Sequence, residues 1–170
     1  MPTIFSHPAV PLALRRVVGP LPRGVVIAGV IGAIAPDLDV IAFAFHVPYG
    51  SMFGHRGFTH SIVFALLFAA LFARTRGAFA YVFTAVVSHP ILDAMTNGGR
   101  GVAFFSPFSN RRFFFPWRPI EVSPIGAIDF SVLLSELWWV WLPCGVVAVI
   151  ATVTRRWRGA RARDRGRSGM

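Results

Sequence analysis

The sequence contains no lysine and no glutamine, a single cysteine, and only seven acidic residues among 170. All 17 basic residues are therefore arginine, a bias that we interpret as codon composition rather than as a functional signal. The lone Cys144 excludes an intramolecular disulfide and a CxxC metal site. It lies in an apolar run, where a cysteine is usually a small core or lipid-facing residue.

Charge is scarce in the chain as a whole. Charged residues make up 14% of the sequence and hydrophobic residues 55%, whereas a soluble domain has about 25% and about 45–50%. This balance excludes a disordered chain and is unlike that of a soluble globular domain, and the excess apolar surface indicates a lipid bilayer as partner. Strand-like alternation is rare, so we predict an all-α, polytopic integral membrane protein.

Four apolar runs supply the candidate membrane helices, at residues 24–47, 58–73, 78–95 and 132–153. A spanning helix needs about 20 apolar residues, so the last run is long enough and the second and third are near the lower limit. A short turn joins the second and third runs into an antiparallel helical hairpin. We expect Thr59 to be the N-cap of the helix in the second run. We expect three or four spans in total.

The first apolar run is ambiguous because Pro36, Asp37 and Asp39 lie near its middle. It is either a span or a broken, re-entrant helix. A re-entrant helix would place the N-terminus outside and bring the acidic and histidine residues together near the outer surface. We favour this arrangement because a metal site needs all its ligands on one side of the membrane.

A basic tail follows the last apolar run. We assign residues 1–153 to one membrane-embedded helical domain and expect residues 154–170, with seven arginines and one acid, to be a disordered tail. Such a tail beside a span is typical of the cytoplasmic side. Basic arms also bind nucleic acid, but Trp157 is the tail's only aromatic residue, so we do not favour nucleic acid as a partner.

Ionisable residues inside apolar runs are costly and usually functional. In this chain they form three clusters, which are PDLD at 36–39, GHRGFTHS at 54–61 and SHPILDAMTNGG at 88–99. In the third cluster, His89 and Asp93 are four residues apart and share one helix face. Both side chains could bind one metal ion, and Asn97 continues the same stripe. A simple hydrogen bond between His89 and Asp93 is an equally good interpretation.

The other two clusters have similar alternatives. Asp37 and Asp39 repel each other unless a cation lies between them or one is protonated, although aspartate is also common in caps and turns. Arg56, flanked by glycines, could clamp an anionic group such as phosphate, or it could be a loop arginine at the lipid headgroups. Together, histidine and carboxylate donors suit Zn²⁺, Mn²⁺ or Fe²⁺, and we expect Zn²⁺.

These motifs resemble those of the YdjM-type family, inner-membrane proteins described as metal-dependent hydrolases, some of which are under LexA control. His7 near the start and the arginine-rich segment FSNRRFFFPWRPIEV also fit this family. The resemblance covers roughly residues 3–125 and implies a bacterial inner membrane location with a divalent metal. One departure is Val40, where many members carry a histidine.

We therefore hypothesise a membrane-bound hydrolase that acts on a phosphoester or lipid-linked substrate through a metal-activated water. The candidate metal ligands are His7, Asp37, Asp39, His55, His60, His89 and Asp93. The candidate catalytic residues are Asp37, Asp39 and Arg56. The candidate substrate-binding residues are Arg56, Asn97, Arg111 and Arg112. The alternative is a metal- or proton-handling transporter in which the same residues line a path, although the inverted repeats typical of transporters are not visible.

Overall fold

The computed structural model describes residues 1–123 and 129–168, with side chains described through residue 163. Its regular elements are α1 (Ala9–Val18), α2 (Arg23–Ile34), a 3-10 segment (Ala35–Phe45), a 3-10 turn (Phe58–His60), α3 (Ile62–Phe72), α4 (Arg76–Ala94), α5 (Phe130–Glu136), a π-helical turn (Leu137–Trp141) and α6 (Leu142–Ser168). Within the described residues there is no β-strand, only isolated bridges. The prediction of an all-α protein is confirmed.

Among the described residues, three helices are long and apolar enough to cross a membrane, namely Arg23–Phe45, Arg76–Ala94 and Phe130–Arg163. Large apolar side chains cover the outside of the molecule, among them Phe45 at 75% exposure and Leu71 at 76%. An apolar surface of this extent marks contact with lipid or with a partner. The prediction of an all-α membrane protein is therefore confirmed, and the three candidate spans among the described residues agree with the predicted three or four.

The second apolar run is shorter as a helix than the sequence indicated. Its α-helix begins at Ile62 and has 11 residues, about half of what a span needs. The Ser61 hydroxyl accepts a hydrogen bond from the Phe64 backbone N–H at 3.0 Å and caps the helix. The prediction that Thr59 is the N-cap is wrong, because the Thr59 hydroxyl donates to Asp39 instead.

The first apolar run changes helix type where the sequence predicted a break. The α-helix becomes a 3-10 helix at Ala35, where Pro36 lacks the N–H that would continue the ladder of hydrogen bonds. The whole stretch Arg23–Phe45 still has 23 residues and can span in one piece. The tighter 3-10 winding carries Asp37 and Asp39, which are both buried.

Helix α4 lies at the centre, packed against α1, α2 and α3. Two glycines let α2 approach it closely. A Cβ at Gly29 would lie 2.5 Å from the Tyr81 ring, and one at Gly32 would lie 2.6 Å from Val86. Small residues at helix contacts are typical of membrane proteins, where close van der Waals packing replaces the hydrophobic effect. This contact fixes the position of α4 relative to the 3-10 segment.

Glu136 fastens the N-terminal residues to the last long helix. Its buried carboxylate accepts hydrogen bonds from the Thr3 backbone N–H, from Thr3 Oγ1 at 2.6 Å and from Ser6 Oγ at 2.5 Å. The Trp141 indole N–H in turn donates to Ser6 Oγ at 3.1 Å. These contacts hold the segment that leads into His7.

Helix α6 continues to Ser168. Residues 154–168, for which composition predicted disorder, are therefore helical, and this differs from our expectation. Arginine and alanine, which make up much of this segment, are good helix formers. A helix that is already established in the apolar run needs no new nucleation to continue.

We expect Ser6→Ala to lower the free energy of unfolding by about 1–3 kcal/mol, since it leaves a buried carboxylate one donor short. Unfolding in mixed detergent micelles measures this effect. Ser131→Ala is the control, because Ser131 is exposed at the start of α5. Equal stability of the two variants would contradict the role assigned to Glu136.

Candidate metal centre

Four side chains that can donate a ligand atom to a metal come together from three separate elements. Asp37 comes from the first turn of that segment, His60 from the end of the 3-10 turn, and His89 and Asp93 from consecutive turns of α4. All four are buried, and one ligand atom from each lies within 4.8 Å of the others. The fold thus brings the three sequence clusters together.

Three of the five distances between donor atoms of this group match those between ligands of one ion, and the other two are longer. His60 Nε2 lies 3.0 Å from His89 Nε2. Asp37 Oδ1 is 3.3 Å from His89 Nε2 and 3.7 Å from His60 Nε2. Asp93 Oδ2 is 3.3 Å from His60 Nε2 and 4.0 Å from His89 Nε2. Two ligand atoms that bind one metal at about 2.0–2.1 Å lie about 2.9–3.4 Å apart at angles from 90° to tetrahedral.

The tautomers of the two histidines follow from their other ring nitrogens. His89 Nδ1 is 2.8 Å from the Ala33 carbonyl, which can only accept, so Nδ1 carries the proton. His60 Nδ1 is 3.2 Å from Asp39 Oδ2 and 3.1 Å from the Thr59 hydroxyl. Because that hydroxyl donates to Asp39, His60 Nδ1 is also the donor. The two Nε2 lone pairs therefore face each other, and they repel unless a cation or a proton lies between them.

The electrostatics around His60 favour such a positive charge. Burial opposes protonation of this ring, but its contacts with Asp37, Asp39 and Asp93 raise its pKa to about 10. Asp37 and Asp93 face His60 Nε2 and Asp39 faces Nδ1, so carboxylates stabilise a positive charge on both sides of this ring. The site has the charge that attracts a cation.

Several buried atoms of the group lack hydrogen-bond partners. Within the described residues, both oxygens of Asp37 and Oδ1 of Asp93 have none. Buried polar atoms are nearly always paired, and an unpaired buried carboxylate is costly. A divalent metal bound among these donors would supply the missing interactions, so the residues present fit such an ion.

Asp39 and His55, which we predicted as metal ligands, lie behind His60. Asp39 Oδ1 is 2.7 Å from His55 Nδ1. Asp39 Oδ2 accepts from the Arg56 backbone N–H at 3.1 Å and from the Thr59 hydroxyl at 2.8 Å. With His60 they form a second group of donors. A carboxylate on the far nitrogen of a histidine is the usual way to orient a metal ligand.

Arg56 is fully buried and supports Asp93. Its Nε lies 2.9 Å from Asp93 Oδ2, and its two terminal nitrogens donate to Gly98 O and Thr96 Oγ1, both at 3.0 Å. Gly99, with φ of +90°, makes room for it, since a Cβ there would lie 2.7 Å from Arg56 Nη1. Each of the three guanidinium nitrogens has a partner in the protein. This favours a role in positioning Asp93 over contact with a substrate.

The glycines of GHRGFTHS are required by the shape of its loop. A Cβ at Gly54 would lie 2.2 Å from the Pro48 carbonyl, and one at Gly57 would lie 2.2 Å from the Met52 carbonyl. Arg112 fastens the same loop, donating to the His55 carbonyl and to the Tyr49 carbonyl, both at 2.9 Å. The motif is thus a tightly folded turn that delivers His60 to the site.

His7 lies beside the four donors but outside their group. Its ring stacks on that of His89 at 3.7 Å between centroids, and its Nε2 is 3.8 Å from Asp37 Oδ2. Burial lowers its pKa to about 3, so the ring is neutral. Neither of its nitrogens has a hydrogen-bond partner in the part of the chain that is described.

The remaining predicted residues, Asn97 and Arg111, contact other groups. Helix α4 ends at Ala94, so Asn97 does not continue the stripe of His89 and Asp93. The Asn97 side-chain oxygen accepts from the Val122 backbone N–H at 2.9 Å instead. Arg111 is exposed, with its guanidinium 5.4 Å from the Phe113 ring centre.

Sequence reasoning missed three supports of the site. The Ala33 carbonyl orients His89. This contact could not be predicted from the sequence, because every residue has a backbone carbonyl. Thr96 binds Arg56, and Thr59 binds both Asp39 and His60. The polar threonine inside GHRGFTHS was the available signal, which we interpreted as a helix cap.

The chain is similar to known inner membrane proteins. A family model described as YdjM inner membrane protein matches residues 1–160. The chain is 41% identical over 160 residues to the Inner membrane protein YbcI of Escherichia coli (strain K12), which covers 84% of this chain and 92% of that protein. No solved structure matches the chain. The family resemblance drawn from the motifs is confirmed.

We expect Arg56→Met to lower the free energy of unfolding by about 3–5 kcal/mol, because it leaves the buried Asp93 carboxylate without its cation. Detergent unfolding monitored by tryptophan fluorescence measures the loss. Arg111→Met is the control, since Arg111 is exposed and we expect it to leave stability unchanged. If both variants are as stable as the parent, Arg56 does not support Asp93.

Proposed function

The chain belongs to the YdjM family of inner membrane proteins, and from this premise we propose that it is a membrane-bound, metal-dependent hydrolase. Its substrate would be a phosphoester or a lipid-linked molecule. The observation that carries the proposal is the pair of imidazole nitrogens, His60 Nε2 and His89 Nε2, which face each other at 3.0 Å. Two buried carboxylates flank them.

We assign one divalent cation to Asp37, His60, His89 and Asp93. Two carboxylates neutralise the two charges of such an ion, and the mixture of imidazole and carboxylate ligands suits Zn²⁺, with Mn²⁺ and Fe²⁺ as alternatives. Asp39 and Arg56 would hold His60 and Asp93 in place. When bound, the metal supplies Lewis acidity and makes water a nucleophile near neutral pH.

Among the carboxylates, Asp37 is best placed to act as the base. Its Oδ1 lies 3.3 Å from His89 Nε2 and 3.7 Å from His60 Nε2, whereas its Oδ2 lies 3.8 Å from His7 Nε2. Both oxygens of Asp39 already accept hydrogen bonds. We therefore assign to Asp37 Oδ2 the proton that leaves the attacking water.

Arg111 is the best placed of the proposed substrate-binding residues. The guanidiniums of Arg56 and Arg112 are held by protein groups, and the Asn97 side chain binds Val122. Arg111 is exposed, in a loop rich in aromatic residues of the kind found at the headgroup level. A phosphate ester at this level would meet its positive charge.

The compactness of the donor group favours a hydrolase over a transporter. A transport path needs polar groups that follow one another across the membrane, whereas these ligand atoms all lie within 4.8 Å of one another. This is the geometry of a single binding site. The transporter is therefore the second candidate, and one experiment separates the two.

We expect the purified protein to contain close to one equivalent of divalent metal and to release phosphate or alcohol from a panel of phosphomonoesters and phosphodiesters. His89→Ala and Asp93→Ala should lose both properties, because each removes a ligand of the assigned cation. His46→Ala is the matched control, since His46 is exposed at the end of the 3-10 segment. Elemental analysis and product release are the measurements.

Two results would overturn this proposal. Protein free of metal that also gains no thermal stability on adding Zn²⁺, Mn²⁺ or Fe²⁺ would remove the metal site. Metal flux into proteoliposomes that His89→Ala abolishes, together with no hydrolysis of any ester in the panel, would establish the transporter instead.

We expect Thr59→Val to weaken metal affinity by about 10–100-fold while the fold is retained. Thr59 contacts both Asp39 and His60, and partners behind a ligand commonly have effects of this size. Competition with a chromophoric chelator measures the affinity. Thr84→Val, at an exposed position on α4, is the control, and equal affinities in the two variants would exclude Thr59 from this role.

A further inference from the structure

Helices α1 and α6 run side by side away from the metal centre. At the near end, the Trp141 indole donates to Ser6. At the far end, Arg155 Nη2 donates to the Val17 carbonyl at 2.7 Å. Because both contacts follow the same chain order, the two helices are parallel. A groove between them extends from the level of Ser6 to the level of Arg155.

The far end of this groove is strongly basic. A cavity of about 330 Å³ is lined there by Arg15, Arg16, Arg155 and Arg156. None of the four forms an ion pair with any residue whose side chain is described, and none of the residues described as lining the cavity is acidic. Four like charges held this close repel one another, and an anion between them would remove that repulsion.

The groove is apolar toward the metal centre. An adjoining cavity of about 310 Å³ shares Arg15 and Arg16 with the basic end. Its other lining residues are Ala9, Leu12, Ala13, Trp141, Cys144, Gly145 and Ala148. These residues are small apart from Leu12 and Trp141, and a Cβ at Gly145 would meet nothing within 4 Å. The groove is therefore open beside Gly145, with room there for an apolar chain.

We propose that this groove binds an anionic phospholipid, with the headgroup phosphate between the four arginines and one acyl chain along α1 and α6. Arginine is well suited to bind phosphate because its donors match two oxygens at once. Basic pockets between membrane helices bind anionic headgroups in this way. The site shares no residue with the metal centre, so this lipid is a bound partner and not the substrate.

Native mass spectrometry of the full chain in neutral detergent tests the proposal. The probes are phosphatidylglycerol, phosphatidylcholine with the same acyl chains, and inorganic phosphate. We expect one phosphatidylglycerol to be retained at least 10-fold more tightly than phosphatidylcholine. Phosphate at the same concentration should not displace it, because it cannot occupy the apolar part of the groove. Equal retention of the two lipids, or displacement by phosphate, would overturn the proposal.

Matched variants locate the binding. Arg16→Gln with Arg156→Gln should weaken retention of phosphatidylglycerol about 10-fold or more, whereas Arg158→Gln with Arg163→Gln, which removes the same charge outside the groove, should not. Gly145→Leu fills the apolar part and should also abolish retention. Gly159→Leu is its control, since a Cβ at Gly159 is equally unobstructed.

The arginine variant and Gly145→Leu test the same proposal independently, so misfolding of one of them leaves the other to decide. Circular dichroism and size-exclusion chromatography check that each variant is folded. A Cβ at Gly145 meets nothing within 4 Å, so Gly145→Leu decides the question if the arginine variant fails to fold. A folded Gly145→Leu protein that retains phosphatidylglycerol as tightly as Gly159→Leu would show that the lipid binds elsewhere.

Discussion

The structure depends on two imidazole nitrogens that face each other, His60 Nε2 and His89 Nε2 at 3.0 Å. Each ring is held in this orientation from behind, His89 by the Ala33 carbonyl and His60 by Asp39. Because both rings donate from Nδ1, their lone pairs meet in the space between them. Such an arrangement is stable only around a positive charge, and the neighbouring carboxylates of Asp37 and Asp93 supply the matching negative field.

The rest of the fold can be understood as the means of keeping this polar centre inside an apolar molecule. Charged groups at membrane depth must face the protein interior and find partners there. The change to 3-10 winding at Pro36 turns Asp37 and Asp39 inward, and the tight glycine loop after it delivers His60 to the same place. Glu136, at the end of α5, holds the segment before His7 in place by hydrogen bonds from Thr3 and Ser6.

Much of the site could be predicted from the sequence because its chemistry is rare in an apolar chain. The four-residue spacing of His89 and Asp93 on a helix was sufficient to place them on one face, and charge avoidance elsewhere made the three clusters stand out. The inward engagement of Arg56 was not predictable, since an arginine between glycines reads equally well as an exposed anion clamp. The start of α3 at Ile62 depends on whether the Thr59 or the Ser61 hydroxyl caps the helix, and the sequence does not decide between them. The helical tail depends on how far α6 continues beyond its apolar run, which composition does not show.

The most direct test of the central claim is an X-ray absorption spectrum of the purified protein loaded with Zn²⁺. The account predicts a first shell of imidazole nitrogen and carboxylate oxygen at about 2.0–2.2 Å. The multiple-scattering signal should correspond to two imidazole ligands in the parent protein and to one imidazole ligand in His60→Ala. A shell made only of oxygen, or a spectrum that His60→Ala and His89→Ala leave unchanged, would show that the two facing nitrogens do not share a metal.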